Sequence, residues 1–424
     1  MPAYINWKTI TAAIIALLLG GLAWLIAPAW SFFAHSGEAP FTPFGWVEMP
    51  QSEAPSTQIV HDTRYQDASD QAIEALAAWR ARIGAPSYSA AVSVGGEVVW
   101  EGATGWADLA EERAVDTGDL YRIGSTSKAI TAIALARLVD QGVIDLDAPL
   151  SSIFEDLPNP QWAEITPRQL ASHMAGVPHY DGVTEVRGLY QMIRLSNHFA
   201  DIRDALAQFD ESEMLFAPGE AFEYSSLGTV LLGATMSEAA GMSYRDIMRQ
   251  EVFEPAGALN TIVAPRDPGE PMVELYYRDD DRYRVWRPVD LSHRLPGGGW
   301  ASSPAQLVQM GALMLDETFI SPETREAFWT PQRLNNGEVN EQGYAIGWRW
   351  REWEIEGVGA VRNANHGGVS RGSQSWLMVL PDYDMVIALN MNGQTDPFWE
   401  FGGAYEEIAA AFIPVVQSAV QSPQ

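Results

Sequence analysis

Apolar positions along this chain change regime three times. From Thr9 to Ala34 they run almost without charge, through Ile14, Leu17, Leu18, Leu19, Trp24, Leu25, Ile26, Phe32 and Phe33. About 20 apolar residues cross a bilayer core, so this stretch is long enough to span one. Trp7 before it, and Trp30, Phe32 and Phe33 at its far end, suit aromatic belts at the two interfaces. Lys8 lies on the short side and the first arginine on the other is Arg64, so the positive-inside rule leaves residues 1–8 in the cytoplasm and carries the bulk across. The reading is an uncleaved signal anchor over residues 9–34; Ala27-Pro28-Ala29 resembles a small-residue cleavage site, and a removed signal peptide is the alternative. Residues 35–67 then carry Pro40, Pro43, Pro50 and Pro55 with no sustained apolar period, which reads as a tether.

A single domain is expected over residues 68–415. Ile73, Leu76, Ala77 and Trp79 recur at helical steps and stop at Gly84. Ala90–Val94 and Glu97–Trp100 flank Gly95-Gly96, a hairpin signal, and another strand follows near Gly105-Trp106-Ala107. Ile130, Ile133, Leu135, Leu138 and Val139 mark a buried helix closed by Gly142. Residues 145–295 read as mostly helical, around Gln169–His173, Leu189–Leu195, Ile202–Phe209, Gly228–Ala240 and Tyr244–Phe253, with an aromatic hairpin over the cleft within Met272–Pro288. After Gly297-Gly298-Gly299 comes a helix from Pro304 to Leu315. Strands return at Tyr344–Trp350, Trp353–Glu356, Trp376–Leu380 and Met385–Met391, followed by a closing helix, Trp399–Phe412, and a loose tail over 416–424. Strands at both ends with helices between them predict an α+β fold: one antiparallel sheet, split in sequence by an inserted, mostly helical lobe and flanked by helices.

Composition narrows the function. With 26 basic and 55 acidic side chains the net charge is −29, which disfavours nucleic acid and anionic lipid surfaces as partners. There is no cysteine, so thiolate catalysis, disulfides and cysteine zinc sites are excluded. His173 and His179 stand six apart with no His-Glu-x-x-His, so no metal or other cofactor is expected, and both histidines read as structural or cleft-lining.

Candidate chemistry begins with a lysine. Of the 26 basic residues only Lys8 and Lys128 are lysine, so Lys128 is the only one outside the N-terminal segment. Arginine serves solubility and ion pairing equally well but does not give up its proton. Ser125 lies one helical turn earlier on the same face, making Ser125-Thr126-Ser127-Lys128 a nucleophile with its base. The serine falls in the first turn of the buried helix, where free amides favour a developing oxyanion. Lys128 must be neutral to act, and burial or a neighbouring cation would lower its pKa from ~10.4. A second group, Pro218 to Gly228, sets Tyr224 on a turn before a helix capped by serine, where a phenol can exchange protons with Lys128. A third, Asn365 to Gly372, offers His366 to polarise the site or bind a substrate carboxylate, with glycines that let substrate approach an edge strand. Gly368-Val369-Ser370-Arg371-Gly372 also matches the nucleophile elbow, but that fold needs a histidine after the serine, and the last one here is His366.

In order, Ser125-Thr126-Ser127-Lys128, Ile165 to His173, Tyr224-Ser225-Ser226, Gly297-Gly298-Gly299 and His366-Gly367-Gly368 resemble the serine β-lactamase-like family of class C β-lactamases, DD-peptidases and related esterases, over roughly residues 70–412. The resemblance implies an acyl-enzyme hydrolase with Ser125 as nucleophile, Lys128 as base and Tyr224 as proton shuttle. It also implies an oxyanion hole from the amides of Ser125 and Val369, and a substrate wall including Ser226, His366, Gly367 and Gly368. Ser226 stands where β-lactamases commonly have asparagine, and His366 where many have lysine. A small peptide, amide or ester is therefore the expected substrate, with a true β-lactamase or DD-carboxypeptidase as an alternative. Some members of the family assemble into filaments, so a homo-oligomeric scaffold is the alternative from a different class. The expected location is a bacterial inner membrane with the hydrolase domain in the periplasm; a mitochondrial inner membrane facing the intermembrane space, or secretion, are the alternatives.

Overall fold

The computed structural model describes residues 7–35, 39–41, 44–180, 188, 190 and 193–421. Seven strands build the central sheet: β1 (Ser56–Val60), β2 (Ser87–Val94), β3 (Glu97–Asp108), β4 (Arg349–Ile355), β5 (Gly359–Ser370), β6 (Ser373–Leu380) and β7 (Met385–Met391). They are antiparallel in the order β4-β5-β6-β7-β2-β3-β1, and a short Arg113–Ala114 strand adds to β3. The β2–β3 hairpin turns at Gly95-Gly96, whose φ of 61° and 82° only glycine adopts without strain. Met385↔Val94 through Met391↔Tyr88 join β7 to β2, so both ends of the domain make one sheet and the lobe is the insertion.

Both faces of the sheet are covered, so its middle strands are buried at almost every position rather than at alternate ones. The main helices are α1 (Trp7–His35), α2 (Gln66–Ile83), α3 (Ser127–Asp140), α4 (Ser226–Ala240), α5 (Pro304–Ala312) and α6 (Ala404–Gln421). On β7, Val386 and Ala388 join the core built with α3, α4 and α5, whereas Ile387 and Leu389 join the core built with α2 and α6. α2 ends where Gly84 takes the left-handed conformation.

α1 is 29 residues long with a mean hydropathy of 2.4 over its most apolar window, long and apolar enough to cross a membrane. Its last turn meets the domain: His35 stacks on Trp286 at 4.1 Å, and Phe41 and Trp46 continue along Tyr277 at 4.9 and 6.4 Å.

Several expectations need correction. Residues 35–67 are not a free tether, because Val47–Glu48 pairs with Arg282–Val285 and β1 forms the edge of the central sheet. An edge strand solvated on its outer side needs no apolar run, so Ser56-Thr57-Gln58-Ile59-Val60 carries little signal. Nor is the tail loose after residue 416: α6 runs through Pro414 to Gln421, with Ile413 and Val416 buried against the α2 side of the sheet. The strands expected over Tyr344–Trp350 and Trp353–Glu356 are one strand, β4, starting only at Arg349, and β5 lies where no strand was expected. The lobe is less helical than read: Ile202–Phe209 is a 3-10 turn, Arg203–Gln208, and of the expected helix Leu189–Leu195 residues 189, 191 and 192 lie outside the described residues. The hairpin Tyr276–Asp279/Arg282–Val285 flanks the 370–373 turn beside the cleft, with Trp286 against Gly372.

Candidate active site

α3 is buried on nearly every side, so its N-terminal end is driven into the middle of the molecule. Ser125 sits in the 3-10 turn Gly124–Thr126 that leads into it, half-buried. Thr126 ties this turn to the sheet, its hydroxyl lying 3.4 Å from His366 O and 3.3 Å from Ser375 O. The contact with β5 is close enough to dictate two glycines. A Cβ on Gly368 would lie 2.0 Å from Ile123 O and 2.7 Å from Ser125 N. Gly124, at φ 50°, would set a Cβ 2.8 Å from Val369 N. The amides of Ser125 and Val369 are thus brought side by side. β4 pairs with β5 only as far as Asn365, so residues 366–370 turn a free strand edge toward Ser125.

Lys128 is 2% exposed. Its Nζ lies 3.1 Å from Ser125 Oγ, 3.0 Å from Ser226 Oγ and 2.9 Å from Gly297 O. No carboxylate is among these partners. Burial is the main force on its pKa; Tyr180 opposes it, Arg349 and Arg294 reinforce it, and the result is about 7. A neutral amine has two N–H groups and one lone pair. Gly297 O only accepts and Ser226 Oγ can accept, which leaves the lone pair for the Ser125 hydroxyl.

Tyr224 lies on the turn before α4, whose N-cap Ser225 accepts from Gly228 N at 2.9 Å. The Tyr224 ring centre is 4.8 Å from Lys128 Nζ. Burial pushes its phenol pKa up, against the effect of a hydrogen bond with Ser125 and of the Arg349 charge, so it stays protonated near neutral pH. His173 packs against Tyr224 at 4.3 Å, and its Nδ1 accepts from Ser225 N at 3.3 Å. His179 Nδ1 accepts from Ser226 N at 3.1 Å and lines the cleft. The pair therefore divides the reading made from sequence, one structural and one cleft-lining.

His366 is placed differently from expectation. It is fully buried, its Nδ1 donating to Gly367 O at 2.7 Å and its Nε2 accepting from Tyr344 Oη at 2.8 Å. Burial, then the charges of Arg349 and Lys128, push its pKa well down, so it is neutral. The ring lines neither cavity at Ser125. It braces Tyr344, 6.4 Å from the Tyr224 ring, and has no free nitrogen for a substrate carboxylate.

Ser125 opens onto two cavities. One, about 230 Å³, is lined by His179, Tyr180, Ser226, Arg294 and Arg371; the other, about 440 Å³, by Arg349, Arg351, Trp353, Trp376 and Phe398. Gly367 borders the second, where a Cβ would strike Phe398 at 2.4 Å. Sequence reading missed these four arginines; the one available signal was that arginine outnumbers lysine 24 to 2. A larger groove, about 1110 Å³ between β2, α6 and the 381–384 turn, is lined by neither Ser125 nor Lys128.

A buried Ser-x-x-Lys pair at the foot of a helix, beside an antiparallel strand edge, defines the penicillin-recognising class of serine acyl-transfer folds. Residues 70–411 match the family model described as Beta-lactamase, and the chain belongs to that family. It is 26% identical over 420 residues to the serine β-lactamase-like protein LACTB, mitochondrial, of Bos taurus, covering 78% of this chain and 75% of the relative. Penicillin-binding protein 4* of Bacillus subtilis is 25% identical over 321 residues, covering 72% of this chain and 68% of the relative. Among solved structures, D-amino acid amidase from Ochrobactrum anthropi SV3 superposes with a TM-score of 0.67 at 20% identity, covering 83% of this chain and 100% of the other.

Proposed function

We propose that this protein is a serine hydrolase acting through an acyl-enzyme on a small peptide, amide or ester. The observation that carries the reading is Lys128: a buried amine with no carboxylate partner among the described residues, able to be neutral near pH 7, 3.1 Å from a half-buried serine hydroxyl. Lys128 takes the Ser125 proton as Oγ attacks the carbonyl carbon, and the oxyanion is held by the amides of Ser125 and Val369. Tyr224, hydrogen-bonded to Ser125, relays the proton from Lys128 to the leaving group as the tetrahedral intermediate collapses. Water then attacks the ester, with the same groups working in reverse. Ser226 is engaged by Lys128 and His366 by Tyr344, which supports a substrate other than a β-lactam. The apolar span of α1 supports a membrane anchor with the catalytic domain on the far side from Lys8.

A fluorophosphonate probe is expected to label the wild-type chain and not Ser125→Ala, read by in-gel fluorescence and peptide mass. Labelling that persists in Ser125→Ala sinks the assignment. Sequencing the mature N-terminus tests the anchor: a start near Trp30 means cleavage.

A further inference from the structure

We infer that the smaller cavity at Ser125 is an anion subsite, in which Arg294 and Arg371 receive a carboxylate carried by the substrate. This deepens the hydrolase reading and rests on it for the role of Ser125. The first argument is charge placement. Ten arginines elsewhere lie within 4.0 Å of a carboxylate: Arg64, Arg113, Arg137, Arg168, Arg203, Arg249, Arg266, Arg282, Arg325 and Arg362. Yet among the described residues no carboxylate pairs with Arg294 or Arg371. Arg294 and Arg371 share this with other arginines, and what sets them apart is that both line the cavity that Ser125 opens onto.

The second argument is cost. The Arg371 guanidinium is largely desolvated, lies 5.3 Å from the Phe32 ring and 5.6 Å from the Trp286 ring, and makes no hydrogen bond among the described residues. Burial and then the neighbouring charges of Arg294, Arg287 and Arg122 bring its pKa down to about 10, still high enough to keep the charge at neutral pH. A half-buried cation facing other cations is unfavourable unless an anion joins it.

The third argument is preorganisation. Arg294 is held by donating from Nε to His293 Nε2 at 2.9 Å and by the Tyr180 ring at 4.2 Å, so its terminal N–H groups are left for a ligand. Both arginines line the same cavity as Ser125, with Ser370 and Gln394 as further polar groups. A planar oxyanion accepted by two guanidinium forks matches that lining, and would fix the scissile bond relative to Ser125.

The test uses the full chain in detergent and two matched ester pairs. One pair, p-nitrophenyl butyrate and p-nitrophenyl hemisuccinate, puts the carboxylate on the acyl part; the other, phenyl acetate and 3-acetoxybenzoate, puts it on the leaving group. One carboxylated ester is expected to exceed its neutral match in kcat/KM by about 10- to 100-fold, the worth of a charged hydrogen bond. Arg371→Gln and Arg294→Gln each reduce that preference, and Arg371→Lys restores part of it. No preference in either pair, or one that survives both glutamine substitutions, overturns the proposal. Glutarate and inorganic phosphate titrated calorimetrically into Ser125→Ala read the site without turnover. Saturable binding lost in Ser125→Ala/Arg371→Gln upholds the subsite even where fluorophosphonate labelling fails and the hydrolase reading falls. Absence of binding, or binding indifferent to Arg371, overturns it.

Discussion

The two walls of the cleft each carry a buried basic residue, and they use it in opposite ways. On the helical wall, Lys128 meets two hydroxyls and one carbonyl, with its pKa brought down to about 7 and its lone pair available to Ser125. On the strand wall, His366 is as deeply buried, but both nitrogens are committed, to Gly367 O and Tyr344 Oη. Burial alone makes neither group catalytic. What matters is whether a lone pair faces the reacting atom. By the proposed mechanism, the helical wall supplies the proton chemistry and the strand wall supplies backbone and shape.

The largest effect should come from removing the lone pair while keeping a long basic side chain. Lys128→Arg is expected to lower kcat/KM about 10²- to 10⁴-fold in an ester hydrolysis assay, the usual weight of a positioned base. In the wild type, kcat/KM should rise with pH to a plateau above about 7, because the unprotonated amine is the active form. A rising limb retained in Lys128→Arg would assign it to another group. The sign for stability follows from the same shift. Between about 7 and ~10.4 the unfolded chain holds a proton that the folded chain has lost. Burying this amine therefore costs most below pH about 7, and the cost is relieved as pH rises toward ~10.4.

Next comes the interlock between the walls. In Gly368→Ala the new methyl would meet Ile123 O at 2.0 Å, so the strand must retreat from the Ser125 turn. Overpacking of about 1–3 kcal/mol is expected in denaturant unfolding. The accompanying displacement should lower kcat by roughly 10²-fold. Full activity would mean that Val369 takes no part in holding the oxyanion.

The smallest change in rate belongs to His366. His366→Phe leaves the Tyr344 hydroxyl buried without its acceptor, at about 1–3 kcal/mol of stability, yet kcat/KM should fall less than about 10-fold. A loss as large as that of Lys128→Arg would break the contrast between the walls.

Much of the helical wall was legible in sequence. The lone lysine, the serine one turn before it and an apolar helix are local features, and local spacing specifies them. Tyr224 was legible for the same reason, through Ser225 as a helix cap. The strand wall was not. Nothing in Asn365 to Gly372 says which way His366 faces, because its partner Tyr344 comes from another segment and the glycines beside it leave direction open. β1 escaped notice because an edge strand gains its stability from backbone pairing with β3 rather than from apolar side chains. The arginines escaped because their meaning lies in the cavities they line beside Ser125, a property of space and not of spacing.

The meeting of Gly124 with Gly368 has one more consequence, for a chain being made from its N-terminus. Ser125 and Lys128 emerge about 240 residues before the strand whose backbone must close on them, and closing so long a loop comes late in folding. By the proposed assignment, half of the oxyanion hole arrives with that strand. A half-synthesised or half-folded chain thus carries a nucleophile it has no means to use, and hydrolysis begins only when the molecule is whole.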